Sequence, residues 1–451
     1  MIATVTLAAA TALASPATAA DVTADTTTAA TVMADPAPLP AAPPIQNTGE
    51  PSRFSPPPAS PAAAKVAAAD TPVDSAGKLK LGGAIRGRYD LRFNDANGAG
   101  ARKTSSHLSF DTVILSADYD SSKFFASAQY RFYGGNFMYG KASGYTNYPG
   151  EISFPVYAYA GVKLDAKNKV AFGLQPVPFD DQFFGSSFLN SLGFVYGMEE
   201  TYNVGATFAH AGKRLSFAGG FFPAPAPAAF GISADSSRYS VNIVKGDPSL
   251  ADGSSNAERN MAIGNIRYKL ISTPSSSLTL TASAWISQIH NFDTRQDGAR
   301  HSFALSLKGT QGAWHAAARV ARQDIWDRNP GNREVVSVGD YDGAYNIAAH
   351  GTLVFGEVGR NIDTGKFPMK LDLYANYARF LKDAAGFKDT TRVNVGAYWT
   401  DKAHQRIRVW TEALIGQNDP NIGAGQFSQG AAMGGDNRTK VSVLCVFGYY
   451  F

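Results

Sequence analysis

Cysteine is nearly absent, with Cys445 alone among 451 residues. One thiol permits no internal disulfide and no cysteine metal cluster. It falls on the apolar face of the last candidate strand and reads as a packing residue. The seven histidines, His107, His210, His290, His301, His315, His350 and His404, show no paired ligand spacing. H-E-x-x-H, phosphate-cradling glycine loops and nucleophile elbows are missing too. An enzyme is therefore not expected, nor a metal or other cofactor. Charge is scarce at 17% of residues, against about 25% in soluble chains. Beyond Ala20 no apolar run reaches the ~20 residues of a membrane-spanning helix. The length allows several soluble domains or one large barrel. Scarce charge beside 44 glycines and 12% aromatics suits a barrel with a belt facing lipid.

Residues 1–20, MIATVTLAAATALASPATAA, form a short apolar run that ends in Ala17-Thr18-Ala19, an A-x-A cleavage pattern. No basic residue precedes the run, as one ordinarily does. An export signal is expected here. Residues 21–77 include ADPAPLPAAPP and FSPPPASPAAA. Few large apolar side chains and many prolines leave nothing to bury, so a disordered Ala/Pro/Thr-rich periplasmic segment is expected. Export also separates the basic residues from nucleic acid.

From Lys78 onward the chain alternates. In KLKLGGAIRGRYDLRF (78–93), Leu79, Leu81, Gly83, Ile85, Gly87, Tyr89, Leu91 and Phe93 share one face. Lys78, Lys80, Arg86, Arg88, Asp90 and Arg92 share the other, because successive strand side chains point to opposite sides. The pattern recurs over 108–119, 123–133, 151–164, 169–177, 201–210, 214–222, 259–270, 277–289, 299–308, 313–323, 340–355, 368–380, 390–400, 405–415 and 438–451. That gives about sixteen strands, an even number as bacterial barrels require. Residues 111–114, DTVI, break the rhythm.

Connections sort into two kinds. Short turns such as 120–122, 165–168, 211–213, 309–312 and 401–404 alternate with long loops. The long ones are 94–107, 134–150, 178–200, 223–258, 290–298, 324–339, 381–389 and 416–437. Short turns on one side and long loops on the other are the rhythm of transmembrane barrels. The 356–367 connection is too long for its short-turn position. Aromatics on the apolar face flank the short turns (Tyr119, Phe124, Tyr268, Trp314, Trp399, Tyr449, Phe451) and the long loops (Tyr89, Phe93, Phe132, Phe221, Tyr341, Tyr377). Two aromatic girdles are expected where strands cross a bilayer.

A charge at lipid mid-depth costs about 2–4 kcal/mol, so the charged face must turn inward. The inner wall is then rich in cations: Arg86, Arg88, Arg131, Arg214, Arg267, Lys269, Arg300, Lys308, Arg319, Lys370, Arg392, Arg406, Arg408 and Lys440. Inward acids are Asp90, Asp118, Asp340, Asp342, Asp372 and Glu412. A passage lined by one sign concentrates the opposite ion. The third long connection, 178–200, carries Phe179, Phe183, Phe184, Phe188, Leu189, Leu192 and Phe194. An exposed loop would not, so this one is expected to pack inward.

GLQPVPFDDQFFGSSF at 173–188 and GFVYGMEETYNVG at 193–205, with a last strand closing on an aromatic residue, resemble Gram-negative outer-membrane porins related to the phosphate-selective family. The resemblance spans about Lys78 to Phe451. It implies an all-β transmembrane antiparallel barrel of about sixteen strands over 78–451, with the third loop folded inward. It further implies a homotrimer in the outer membrane, among lipid and lipopolysaccharide. The expected activity is passive diffusion of small hydrophilic solutes, anionic or neutral, with a preference for phosphate-like or other small anions. A general or carbohydrate porin is the alternative, and a barrel enzyme or surface-display barrel a remote one. Phosphate-type relatives cluster Arg and Lys at the constriction, whereas this loop carries Asp180, Asp181, Glu199 and Glu200. The expected pore lining is these four acids with Arg86, Arg88, Arg131, Arg267, Arg319, Arg392 and Arg408. Asp180 and Asp181 are expected to face Arg86, Arg88, Arg131 and Arg319 across a hydrated gap.

Overall fold

Alternation decides which way every strand faces, and the computed structural model shows a wall built on it. The structure describes residues 77–96, 102–134, 148–189, 191–233, 235–246, 250, 252–253, 255–423 and 426–451. The expected export signal and all but the last residue of the 21–77 segment lie outside the described residues. The elements are β1 (Lys78–Ala96), β2 (Arg102–Asp120), β3 (Phe124–Tyr133), β4 (Ile152–Lys163), β5 (Asn168–Pro176), α1 (Leu192–Val195), β6 (Tyr202–Ala211), β7 (Leu215–Pro225), β8 (Asn242–Ile243) and β9 (Asn256–Ser272). There follow β10 (Ser276–Asn291), β11 (Asp297–Gln311), β12 (Trp314–Trp326), β13 (Val335–Asp340), β14 (Gly343–Ala348), β15 (His350–Ile362), β16 (Met369–Lys382), β17 (Thr390–Asp401), β18 (Ile407–Gln417) and β19 (Thr439–Tyr450). Sixteen of the strands close into one antiparallel barrel, and β8, β13 and β14 form a separate three-stranded sheet.

The wall is apolar outside and charged inside. On β1, Leu79 and Leu81 are 64% and 71% exposed, while Arg86, Arg88, Asp90 and Arg92 are buried. Phe172, Phe221, Phe303, Leu305, Val320, Val395 and Phe447 continue the outer belt. Tyr268, Trp314, Tyr377 and Tyr449 stand exposed as girdle positions require. Among the described residues no helix is long and apolar enough to cross a membrane. The elements suited to do so are strands.

Three expectations change. The 94–107 loop shrinks to 97–101, because β1 and β2 stay paired out to Ala96 and Arg102. In the sequence, NDA at 94–96 and RKTSSH at 102–107 carry no hydrophobic alternation. The strand read over 340–355 is two objects: Val335–Ala348 is the hairpin β13–β14, and the barrel strand β15 begins at His350. The hairpin turns at Tyr341 and Asp342, whose φ values are 44° and 72°. Tyr341 is therefore buried rather than in the outer girdle, and Asp340 and Asp342 leave the barrel wall. The connection after β15 becomes 363–368, as short as its position demands.

The irregularity at DTVI is a β-bulge. Arg86 pairs with Thr112 but Gly87 with Phe110, so Asp111 is the extra residue. A bulge sets two residues against one and resets the parity of the strand. Asp111 and Thr112 are both buried as a result, and Asp111 meets Arg86 at 2.8 Å. The bulge thus supplies a counter-charge inside the wall that strict alternation would have turned toward the apolar outer face or omitted.

The ring closes where β1 meets β19. Glycines make that seam possible. Gly87 lies opposite Phe447, and a Cβ on Gly87 would stand 2.5 Å from that ring. Gly83 exchanges both backbone hydrogen bonds with Phe451, at 3.0 Å each, and a Cβ there would meet the Ile114 carbonyl at 2.3 Å. Rings from the last strand therefore cover bare backbone on the first. Gly87→Val should strain the seam by about 1–3 kcal/mol, the usual cost of overpacking. It should lower the yield of heat-modifiable, membrane-inserted barrel, as should Phe451→Ala, which uncovers Gly83. Wild-type yields and urea midpoints in both variants would show that the seam does not depend on these contacts.

Candidate constriction of the lumen

The connection between β5 and β6, residues 177–201, turns into the barrel. Its apolar side chains drive this. Phe179, Phe184, Phe188, Leu189, Leu192 and Phe194 are all buried, and Phe183 is half-buried. They meet aromatic side chains that the wall points inward. Phe179 packs edge-on against Trp285 of β10, and Phe184 against Phe355 of β15. Phe188 lies on Trp410 of β18, and Tyr196 stacks on Phe380 of β16 at 3.5 Å. The loop thus touches walls on both sides of the ring. Its one-turn helix α1 is capped by Ser191, whose hydroxyl accepts from the Gly193 N–H at 3.0 Å. Gly185 and Gly197 have φ of 87° and 63°, and Asp180 and Glu200 also sit in the left-handed region at 55° and 49°.

Charge fastens what packing positions. Arg319 reaches Asp180 at 3.0 Å and Glu199 at 3.5 Å, with all three side chains at most 1% exposed. The Ser306 hydroxyl donates to Asp180 at 2.7 Å, and the Asp180 N–H donates to Ser283 Oγ at 2.9 Å. Asp181 takes Arg267 at 3.0 Å and Lys308 at 3.3 Å. Glu200 accepts from the Tyr239 hydroxyl at 2.7 Å. The wall answers with carboxylates of its own. Glu357 accepts from the Ser186 N–H at 2.7 Å. Glu412 accepts from the N–H groups of Phe188 and Leu189 at 2.5 and 3.2 Å. Arg392 donates to the Leu189 carbonyl at 2.7 Å, and Arg300 to that of Gly197 at 2.9 Å.

Of the four arginines expected opposite Asp180 and Asp181, Arg319 alone meets one of them in the contacts described, directly and not across a hydrated gap, while Asp181 meets Arg267, expected only in the general lining. Arg86 is spent on Asp111, and Arg88 on Asp90 at 2.5 Å. Arg131 donates to Gln129 and Tyr133 and lies over the Tyr239 ring. None of these three meets Asp180 or Asp181 in the contacts described. Arg392 pairs with Asp419 at 2.7 Å, and Arg408 lies over Tyr450 beside the 402–406 turn. Which wall the loop would reach depended on its path through the barrel, which local spacing does not encode. Sequence reading also passed over Trp285, Phe355, Phe380 and Trp410. Their signal was available in part: each is a large aromatic in the inward phase of its strand, among polar and small residues such as Thr281, Ser283, Asn376 and Glu412.

The second sheet lies against the loop. The Tyr345 hydroxyl donates to the Val195 carbonyl at 2.9 Å. Val336, Val338 and Ile347 share one apolar cluster with Phe179, Phe194 and Trp285. Asp342 holds the β7–β9 connection by accepting from the N–H groups of Ile232 and Ser233 at 2.8 and 2.7 Å. The lumen is wetter below Asp180: the Arg267 and Lys308 side chains are 39% and 45% exposed. Among the described residues no group of His, Cys, Asp and Glu is placed to hold a metal ion.

No protein-family model matches the chain, and no curated protein matches it. Solved structures do. The outer membrane channel DcaP of Acinetobacter baumannii is similar over 84% of this chain and 98% of its own, at 10% identity and a TM-score of 0.52. Salmonella typhi OmpF in complex with daunomycin is similar over 84% and 99%, at 13% identity and a TM-score of 0.51. The chain thus has the fold of Gram-negative outer-membrane porins.

Glu199 gives the constriction a pH dependence. Burial pushes its carboxyl up to about 7, against the opposing pull of Arg319, the Ser191 hydroxyl and the Phe184 N–H. A carboxyl raised on folding favours the packed loop below the ordinary glutamate range, and that contribution fades as pH climbs through about 7. Emission from Trp285, which packs on Phe179, should report a looser loop at pH 8 than at pH 5, and Glu199→Gln should flatten the difference. Equal pH dependence in wild type and variant would assign the effect to another group.

Proposed function

We propose that the chain is an outer-membrane porin, a passive diffusion channel for small hydrophilic solutes that favours small anions. The observation that carries this is the unbalanced charge on the wetter wall. Most inward arginines are matched: Arg86, Arg88, Arg300, Arg319 and Arg392 each meet a carboxylate. Arg267, Lys269 and Lys308 lie in the inward phase of β9 and β11, and Asp181 meets Arg267 and Lys308. A low-dielectric passage with excess cations concentrates anions. The paired arginines favour a second reading, a general porin with little ion preference, because they leave most of the wall neutral. By resemblance to porins, the barrel is further proposed to sit as a homotrimer among outer-membrane lipid and lipopolysaccharide, with residues 21–77 on the periplasmic side.

In planar bilayers under a potassium chloride gradient, the reversal potential should favour chloride. Replacing Lys269 and Lys308 together with Ser should bring the permeability ratio close to one, since lumen substitutions tune selectivity without opening the barrel. The wild-type bias should also shrink near 1 M salt, where screening acts within about 3 Å. A cation-preferring wild type would overturn the anion reading, and a barrel that passes no ions would overturn the channel.

A further inference from the structure

Asp180 and Asp181 are neighbours with opposite situations. Asp180 is an anchor: its side chain is 1% exposed, and it is held by Arg319, the Ser306 hydroxyl and its own backbone bond to Ser283. Asp181 is 29% exposed, and both its partners are more exposed still. Its bonds are loose. Charge-assisted N–H···O contacts ordinarily run about 2.7–2.9 Å, whereas Arg267 stands at 3.0 Å and Lys308 at 3.3 Å. Exposed pairs of this kind contribute little, because water and salt screen them.

The cations are also under-used. Arg267 Nε is buried and has no hydrogen-bond partner. Its Nη2 donates to the Asp180 carbonyl at 2.6 Å, a backbone contact with the loop that does not involve the Asp181 side chain. Lys308 is steadied by the Phe183 carbonyl at 3.3 Å and the Phe184 ring. Two rows of paired residues form the background. Lys269, Thr279 and Lys308 are register partners across β9, β10 and β11, and Arg267, Thr281 and Ser306 form the next row. The result is a preformed fork of cations on a hydroxyl-bearing wall, open to the lumen and occupied by a carboxylate on a tether.

We propose that Arg267 and Lys308 form a binding site for a small carboxylate solute, and that Asp181 is its built-in competitor, displaced when the solute enters. The inference rests on the reading of the barrel as a solute channel and narrows it to carboxylates. One oxygen of the solute takes Arg267 and the other Lys308, as the two Asp181 oxygens now do. A tethered competitor keeps the site weak, and a weak site is what conduction needs, since a tightly held solute would not leave.

The test is isothermal titration of the full chain, refolded in detergent at low salt, with succinate as probe and inorganic phosphate as comparison. Wild type should bind succinate weakly. Asp181→Asn should bind it about two- to fivefold more tightly, the range expected when one weak competing ion pair is lost. Arg267→Gln and Lys308→Met should each weaken binding at least about tenfold, and Lys308→Arg should recover part of it. Heat-modifiable gel mobility checks that each variant is folded. Unchanged affinity in Asp181→Asn, no succinate binding in any folded variant, or phosphate bound more than about tenfold more tightly than succinate would each overturn the proposal. Chloride current in bilayers separates the two levels. Current without succinate binding sinks the site and leaves the channel, whereas the expected binding without current sinks the channel and leaves the site.

Discussion

A sheet that spans hydrocarbon can have no free edge, because an unpaired N–H or C=O there finds no water to bond. The remaining features follow from meeting that condition. β1 must meet β19, so the seam needs glycine backbone on one strand and aromatic cover from the other, as Gly87 under Phe447 shows. Closure also settles where charge goes. A side chain has only two directions, and one of them is lipid.

Turning charge inward creates a second demand. A buried, unmatched guanidinium is more costly than a matched pair. The barrel meets this with near neighbours: Asp90 beside Arg88, Glu258 beside Arg300, Asp419 beside Arg392. For Arg86 no residue in regular alternation served, and the bulge at Asp111 brings one in. Arg319 is matched differently. Its partners, Asp180 and Glu199, come from the third loop, so neutralising the wall and narrowing the lumen are one structural act. This links electrostatics to shape, and it leaves Arg267 and Lys308 on a more exposed part of the wall.

The interior is therefore two regions with different chemistry. Toward the long connections, the third loop, the β13–β14 hairpin and their neighbours pack into a continuous apolar cluster. Toward the short turns, the wall carries more exposed cations, Arg267 and Lys308 among them. Phe179 and Asp180 mark the border, one facing Trp285 and the other Arg319.

The sequence alone determined the barrel and its facing. Sixteen strands, an outer belt and an inward, Phe-rich third loop were legible because period-2 alternation and loop length are local properties that the bilayer makes obligatory. Alternation could not say whether 340–349 was barrel wall or inner hairpin, since a strand buried on both faces can show the same pattern as one facing lipid. Nor could it reveal the Asp111 bulge, which depends on pairing with Arg86. The partners of the loop were decided by tertiary structure alone. Asp180 meets Ser306 and Arg319 across more than a hundred residues, and no spacing within either segment carries that distance. Which cation meets which carboxylate depends on the path of the loop through the closed ring, and that path exists only once the ring has formed.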